Sequence, residues 1–474
     1  MAAIPYVRMI CEGCGHEIPP ETLLPFRCPR SADLPTVDHM LLRHLDLANS
    51  GLASAFDDGE TNPFLRYRHG LYPYWIGQAH DESEESFAAL VHRLEQSVRA
   101  VDGVGFQATA LHEIDGLLDS LPAVRLWIKD ESNNVSGSHK ARHLMGIQLW
   151  LETIRRLDWM PEPGSKRRDL AIASCGNAAL AAAVIAHASK QRLRVFVPVD
   201  AEPAIVNRLR SLGAIVESCP RKPGVRGDPC MHGFREAVDQ GAIPYGCQGT
   251  ENGLTLEGGR TLGYEFADQL RRRSASLDHL IVQVGGGALA ASLSLSLAET
   301  VAMGVTSRMP RFHTVQTSSA YPLYRAWSRI ADQLLGIESS TPRAPNPRAD
   351  LTRAAAVAQL PAAKRVAGLR YAATHRDEFM WAWETTPRSL ASGILDDETY
   401  DWLPVLGSML ETGGIPLVAS ELLLARAHAL AHERTPIAVC PTGSAGLAGF
   451  LELARHDLIS SGEQVGLVFS GHQR

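Results

Sequence analysis

From about residue 107 to the end, short apolar runs alternate with longer stretches of helical character, and this alternation restricts the architectures open to the chain. VRLWIK, DLAIAS, LRVFVPV, AIVESC, HLIVQV and TPIAVC read as strands. Their apolar runs are continuous instead of alternating, the pattern of strands covered on both faces. Between them lie helical segments. AALAAAVIAHASKQ is rich in the residue of highest helix propensity. PAIVNRLRSLG opens on Pro203 and closes on Gly213. Strands and helices in this order imply an α/β chain with mainly parallel sheets.

Two regions depart from that texture. Residues 1 to about 100 are rich in Pro, His and aromatic residues and read as an irregular extension. Residues 320 to 386 hold a Pro-rich stretch, SSTPRAPNPRAD, expected to be a loop, and then Trp-containing helical sequence. They read as an insertion over one face of a sheet that covers the site. The 474 residues suffice for two or three domains. A net charge of -6 gives no basic footprint for nucleic acid. No run of 18 apolar residues suggests a membrane span, and the start lacks the pattern of a secretory signal. The eight cysteines are scattered, which suits free thiols in a reducing cytoplasm.

In parallel sheets, ligands bind beyond the carboxyl ends of the strands. Four such junctions carry unusual residues: SGSHK (136–140), SCGNA (174–178), GGGAL (285–289) and PTGSAG (441–446). All four are expected on one sheet edge. Gly285, Gly286 and Gly287 let the backbone wrap an anion at a helix N-terminus, although a lone triplet serves a tight turn about as often. Asn177 and Thr442 are ordinary helix caps on their own. Lys140 on its own reads as a solvated side chain. Together, a phosphate cradle, an amide, a hydroxyl and a lysine make up what pyridoxal phosphate requires. A nicotinamide-binding reading lacks both the G-x-G-x-x-G spacing and an acidic residue at the end of RFHTVQT.

LWIKDESNNVSGSHKARHLMG, IASCGNAALAAA, NGLTLEGGRTLGYEFADQL, VQVGGGALAASL, SLASGILDDETY and AVCPTGSAGL follow one another as in the tryptophan-synthase-β-like group, the fold type II pyridoxal-phosphate enzymes. QATALHEIDGL resembles the group's opening segment, and NPFLRYRHGLYPY resembles a segment of threonine synthase. The layout is most similar to threonine synthase. The resemblance implies two three-layer domains with mainly parallel sheets and the cofactor in the cleft between them. The division would be an extension over 1–100 and a catalytic region over 101–474, with a smaller subdomain at about 140–250.

It also implies roles. Lys140 would form the Schiff base and act as base at the substrate α-carbon. Asn177 would bind the phenolic oxygen, and Gly285, Gly286, Gly287 and Ala288 the phosphate. Gly393 would pass close to the ring, and Thr442 would face its nitrogen. Ser174, Cys175 and Gly176 would lie near the substrate carboxylate. His139 is grouped with them, as a hydrogen-bond donor on the phosphate side in preference to an acid or base. Two departures bear on the substrate. His139 and Ala141 stand where threonine synthases carry Phe and Asp, and a histidine before the lysine resembles the tryptophan synthase β chain. The expected reaction is β- or γ-elimination or replacement on an amino acid, with threonine synthase activity first. A β-replacement synthase or an ammonia-lyase follows, and a non-catalytic relative comes last. The group commonly forms homodimers.

ICEGCGHEIPPETLLPFRCPR is similar to the zinc-ribbon-like start of some threonine synthases. Cys11 and Cys14 have knuckle spacing, and Cys28 is a third candidate. Ser31 stands in place of a fourth cysteine, with His16 and His39 as substitutes, so zinc is the weaker expectation and a metal-free knuckle the stronger.

Overall fold

The computed structural model describes residues 6–160, 167–221, 227–338 and 343–474. Its strands are β1 (Val7–Cys11), β2 (Glu17–Ile18), β3 (Leu41–Leu45), β4 (Leu111–Asp115), β5 (Arg125–Asp130), β6 (Leu170–Ala173), β7 (Leu193–Pro198), β8 (Ile215–Cys219), β9 (Ile243–Pro244), β10 (His279–Gln283), β11 (Arg311–Thr317), β12 (Pro416–Ala419) and β13 (Gln464–Phe469). They form a sheet of order β12-β11-β10-β13-β5-β4, a second of order β8-β7-β6-β9, and a small one of order β2-β1-β3. The first two are parallel throughout except for β4, which runs antiparallel to β5. The mainly parallel α/β architecture is therefore as expected. Among the described residues no helix is long and apolar enough to cross a membrane.

The helix Lys140–Arg156 passes through the middle of the molecule, and it is buried along nearly its whole length. It crosses the equally buried helix Thr255–Arg272 at backbone contact. A Cβ on Gly146 would lie 2.6 Å from the Gly258 nitrogen, and one on Gly258 would lie 1.8 Å from the Arg142 carbonyl. Only glycine permits that approach. The crossing fixes the first turn of the helix, and with it Lys140.

Several expectations need correction. TPIAVC is not a sheet strand. Val439 forms only an isolated bridge with His472, and the Cys440 N–H donates to the Gly471 carbonyl. Pro436 has no N–H to offer a ladder, and the sheet positions go to β12 and β13. The four junctions also do not share one sheet edge. SCGNA follows β6 of the four-stranded sheet, whereas SGSHK and GGGAL follow β5 and β10 of the six-stranded one.

The N-terminal extension is more regular than its composition suggests. In β1 the residues Val7, Met9 and Cys11 are buried and Arg8 is exposed, a half-buried strand pattern. Ser83 caps the 19-residue helix Glu84–Asp102 by accepting from the Ser86 N–H. Residues 339–342 of the Pro-rich stretch lie outside the described residues. The part expected as loop after them is the helix Pro347–Ala358, opened by Asn346, whose side chain accepts from the Ala349 N–H. That helix and Ala362–Thr374 pack on the helix Trp402–Thr412, and Pro322–Leu335 packs beside β12.

Candidate active site

The loop from Glu131 to His139 is set by a buried ionic cluster beneath it. The Arg142 guanidinium is bidentate on Glu131, with both contacts at 2.9 Å, and also reaches Glu265 at 3.0 Å. Lys129 at the end of β5 pairs with the same Glu265. Burial would raise the Glu265 pKa, but Arg142 and Lys129 outweigh it and hold the carboxyl below its usual range. At the loop's tip Ser136 and Gly137 are both left-handed, at φ 55 and 73. Ser136, a non-glycine residue in that region, is held by its N–H to the Asp102 carboxylate at 2.8 Å.

Lys140 opens the helix above this cluster and is only half-buried. Its ammonium makes no hydrogen bond or ion pair among the described residues. His139, Asp396, Asp401 and Cys247 surround it, each near enough to feel its charge. Burial pushes the Asp396 carboxyl up to about 6 and that of Asp401 up to about 8, with Lys140 pulling both back. His139 is buried and its pKa lies well below the usual histidine value, so its ring is neutral. The Ser470 hydroxyl accepts from the His139 backbone N–H at 3.1 Å and also contacts Nδ1. With Nδ1 accepting the Ser470 proton, Nε2 carries the ring's N–H.

Four buried polar atoms in this neighbourhood have no partner among the described residues: Ser136 Oγ, Ser138 Oγ, His139 Nε2 and Asp401 Oδ2. Such atoms are uncommon in folded proteins, and a bound ligand beside the lysine would give these their partners. Gly285–Gly287 enter the helix Ala288–Ala302, with Gly287 at φ 103. The Asp396 carboxylate lies against this turn, and backbone N–H groups at such a helix entry suit an anion. A Cβ on Gly285 would lie 2.3 Å from that carboxylate. Behind the turn the Gly286 carbonyl accepts from the Asp401 N–H at 2.8 Å.

Two further pairs complete the arrangement. Thr442 Oγ1 accepts from the Gly393 N–H at 3.0 Å, which brings those two residues together. Asn177 Oδ1 accepts from Arg474 Nη1 at 2.8 Å. Ser174, Cys175 and Gly176 form the turn between β6 and the helix Asn177–Ala188; Cys175 is exposed, and a Cβ on Gly176 would meet nothing within 4 Å. Cys11, Cys14 and Cys28 lie apart from this cleft, clustered in the N-terminal unit with His39 and not with His16.

Sequence reasoning missed Asp396, Asp401, Ser470 and Arg474. Residues 470–474 pack against the loop before Lys140: Ser470 holds His139, His472 N–H donates to the Gly137 carbonyl, and Arg474 also reaches the Ser136 carbonyl. Asp396 did carry a signal, since LDDE follows the Gly393 segment directly.

An unpaired lysine, an anion-accepting glycine turn and orphaned donors on one side of it suit pyridoxal phosphate. Residues 104–355 match the family model described as pyridoxal-phosphate dependent enzyme. The chain is similar to threonine synthase of Methanosarcina acetivorans, 24% identical over 371 residues that span 77% of this chain and 74% of that protein. It is also similar to the tryptophan synthase β chain of Mycobacterium leprae, 25% identical over 43% of this chain and 47% of that protein. Diaminopropionate ammonia lyase from Escherichia coli shares the fold at TM-score 0.55 and 15% identity, over 88% of this chain and 92% of that one. The chain is therefore a fold type II protein that belongs to the pyridoxal-phosphate dependent enzyme family, with pyridoxal phosphate as its cofactor.

Proposed function

We propose that the protein is an amino-acid lyase or synthase that removes or replaces a β or γ substituent, with threonine synthase-like chemistry as the first specific reading. Residues 140–250 would form the smaller subdomain and the six-stranded sheet the larger. The observation that carries the reading is the hydrogen bond from the Gly393 N–H to Thr442 Oγ1. That bond occupies an acceptor position of the hydroxyl and leaves its proton free to donate. A hydroxyl donor facing the pyridine nitrogen favours its unprotonated form, where a carboxylate would keep it charged. The bound cofactor then withdraws enough charge from the substrate to acidify the α-carbon, yet is a weaker electron sink than transamination requires.

This chain's residues would do the following. Lys140 Nζ takes the α-proton, and its freedom from any ion pair leaves it able to do so. Asn177 Oδ1 is engaged by Arg474, which turns Nδ2 toward the cofactor's phenolic oxygen. Backbone N–H groups at 285–288 and the Nε2–H of His139 hold the phosphate. The open turn at Ser174–Gly176 receives the substrate carboxylate.

The test offers the purified holoenzyme O-phosphohomoserine, O-acetylserine, serine and threonine. Phosphate release from O-phosphohomoserine with threonine as product is the expected outcome. Racemisation or amino transfer with every substituent retained would sink the reading. A second reading, β-replacement on serine-type substrates, rests on the neutral His139 beside the lysine, and product formation from O-acetylserine with an added nucleophile would select it.

A further inference from the structure

The cysteines of the N-terminal unit take no part in that reaction, and their geometry points elsewhere. We propose that Cys11, Cys14, Cys28 and His39 bind one zinc ion, and that this centre braces the wall behind the glycine turn. The four ligand atoms lie within 4.8 Å of one another. Cys11 Sγ is 3.5 Å from His39 Nδ1, and Cys14 Sγ is 3.6 Å from Cys28 Sγ. Tetrahedral coordination, with about 2.3 Å to sulfur and about 2.0 Å to nitrogen, separates neighbouring ligand atoms by about 3.5 to 3.8 Å. Two of the pairs already stand at the spacing such an ion requires, and the others lie within reach of it.

His39 is also prepared as a ligand. Its Nε2 lies 3.0 Å from the Leu34 carbonyl, which can only accept, so the ring proton is on Nε2. Nδ1 is then unprotonated and faces the thiols, and a carbonyl on the far nitrogen is the usual support of a ligating histidine. The missing cysteine at Ser31 is made good by a residue eight positions further on. The knuckle itself is closed by the Gly15 N–H donating to the Cys11 carbonyl at 2.8 Å. Gly13 is required there, because a Cβ would lie 1.9 Å from the Asp38 carbonyl. Three thiolates and an imidazole in tetrahedral array favour zinc over magnesium or calcium.

The brace runs through the neighbours of His39. Asp38 N–H donates to the Ala373 carbonyl at 2.7 Å, and Asp38 Oδ2 accepts from Trp402 Nε1 at 2.6 Å. Trp402 follows Asp401, whose N–H holds the Gly286 carbonyl. Met40, on the other side of His39, packs against Gly249, which donates to Asp401 Oδ1 at 2.8 Å. The ion would tie Cys11 to His39 and so fix the segment that supports Asp401.

The experiment measures metal content of the full-length holoenzyme after dialysis. About one zinc per chain is expected, and less than a tenth of that in Cys14→Ser and His39→Ala. Lys140→Ala should keep its metal in full, so that loss of the reaction and loss of the ion are read separately. Should the ligand variants fail to fold, cobalt(II) added to chelator-treated wild type should give the intense absorbance of thiolate-bound tetrahedral cobalt. Wild type that holds no zinc and gives no such spectrum overturns the proposal, as does an undiminished zinc content in folded ligand variants. The brace is tested by chelation of wild type, which should weaken pyridoxal phosphate binding several-fold and leave the His39→Ala variant unaffected. Equal binding before and after verified zinc removal would overturn that part.

Discussion

Lys129 and Lys140 stand eleven residues apart on the same strand, loop and helix, and their surroundings are opposite. Lys129 is fully buried, and its ammonium is engaged by Glu265, Gln269 and the Thr109 carbonyl. Lys140 is half-exposed at the cleft and engaged by nothing among the described residues. The first is a structural charge: burial lowers its pKa, and Glu265 offsets that only in part. The second is an amine held in reserve, with carboxyls and a neutral imidazole around it but no bond to any of them among the described residues. Near-complete pairing marks the groups that hold the loop, and missing partners mark the groups that act on a ligand.

The comparison breaks if the two lysines are interchangeable. Lys140→Ala should abolish the visible absorbance of bound cofactor and cut turnover by at least about a thousandfold, with the thermal midpoint of the apoprotein within a few degrees of wild type. Lys129→Met should do the reverse. It leaves a buried carboxylate short of a partner, at a cost of about 3 kcal/mol in urea unfolding, with the cofactor band retained in the folded fraction. A Lys129→Met protein of normal stability, or one that loses the band while folded, would erase the distinction.

The part of this contrast that was legible in the sequence is the part written locally. β5, β6, β7, β8 and β10 show as apolar runs, and Lys140, Asn177, Gly285–Gly287 and Thr442 stand out because each sits at the end of such a run or its like. TPIAVC misled because apolar composition cannot separate a sheet strand from a segment bridged to the chain's last residues. Asp401, Ser470 and Arg474 were illegible for a similar reason. Each acts where the chain returns from far away, and no spacing records that return. His39 is the intermediate case: a ligand candidate on paper, it is separated from His16 only by the turn that brings β3 beside β1.

The glycine turn offers a finer cut between reserve and paired charge, since the Asp396 carboxylate already lies against it. A phosphate arriving there meets a like charge. Asp396→Asn should therefore tighten binding of pyridoxal phosphate about tenfold at pH 8, measured by titrating the apoprotein. The sign follows from a carboxyl pushed up to about 6. Below that pH the wild-type group is protonated and the two proteins should converge; above it the gap should open. A gap that is the same at pH 5 and pH 8 would mean that the carboxylate charge does not compete with phosphate.

The smallest expected effect concerns orientation alone. Arg474 Nη1 donates to Asn177 Oδ1 at 2.8 Å, and Nη2 donates to the Ser136 carbonyl at 2.7 Å. An arginine can only donate, so it selects the amide rotamer that points Asn177 Nδ2 the other way, past Gly471. Arg474→Ala frees the amide to flip and should weaken cofactor binding about fivefold, the weight of roughly one hydrogen bond at an exposed site. A merely structural tail would give a similar loss, so the pair must be taken as a cycle. In an Asn177→Ala background, Arg474→Ala should cost nothing further, because there is no amide left to orient. If the two losses simply add, Arg474 acts on the Ser136 loop and not on Asn177, and it belongs with Lys129 among the charges that hold the loop in place.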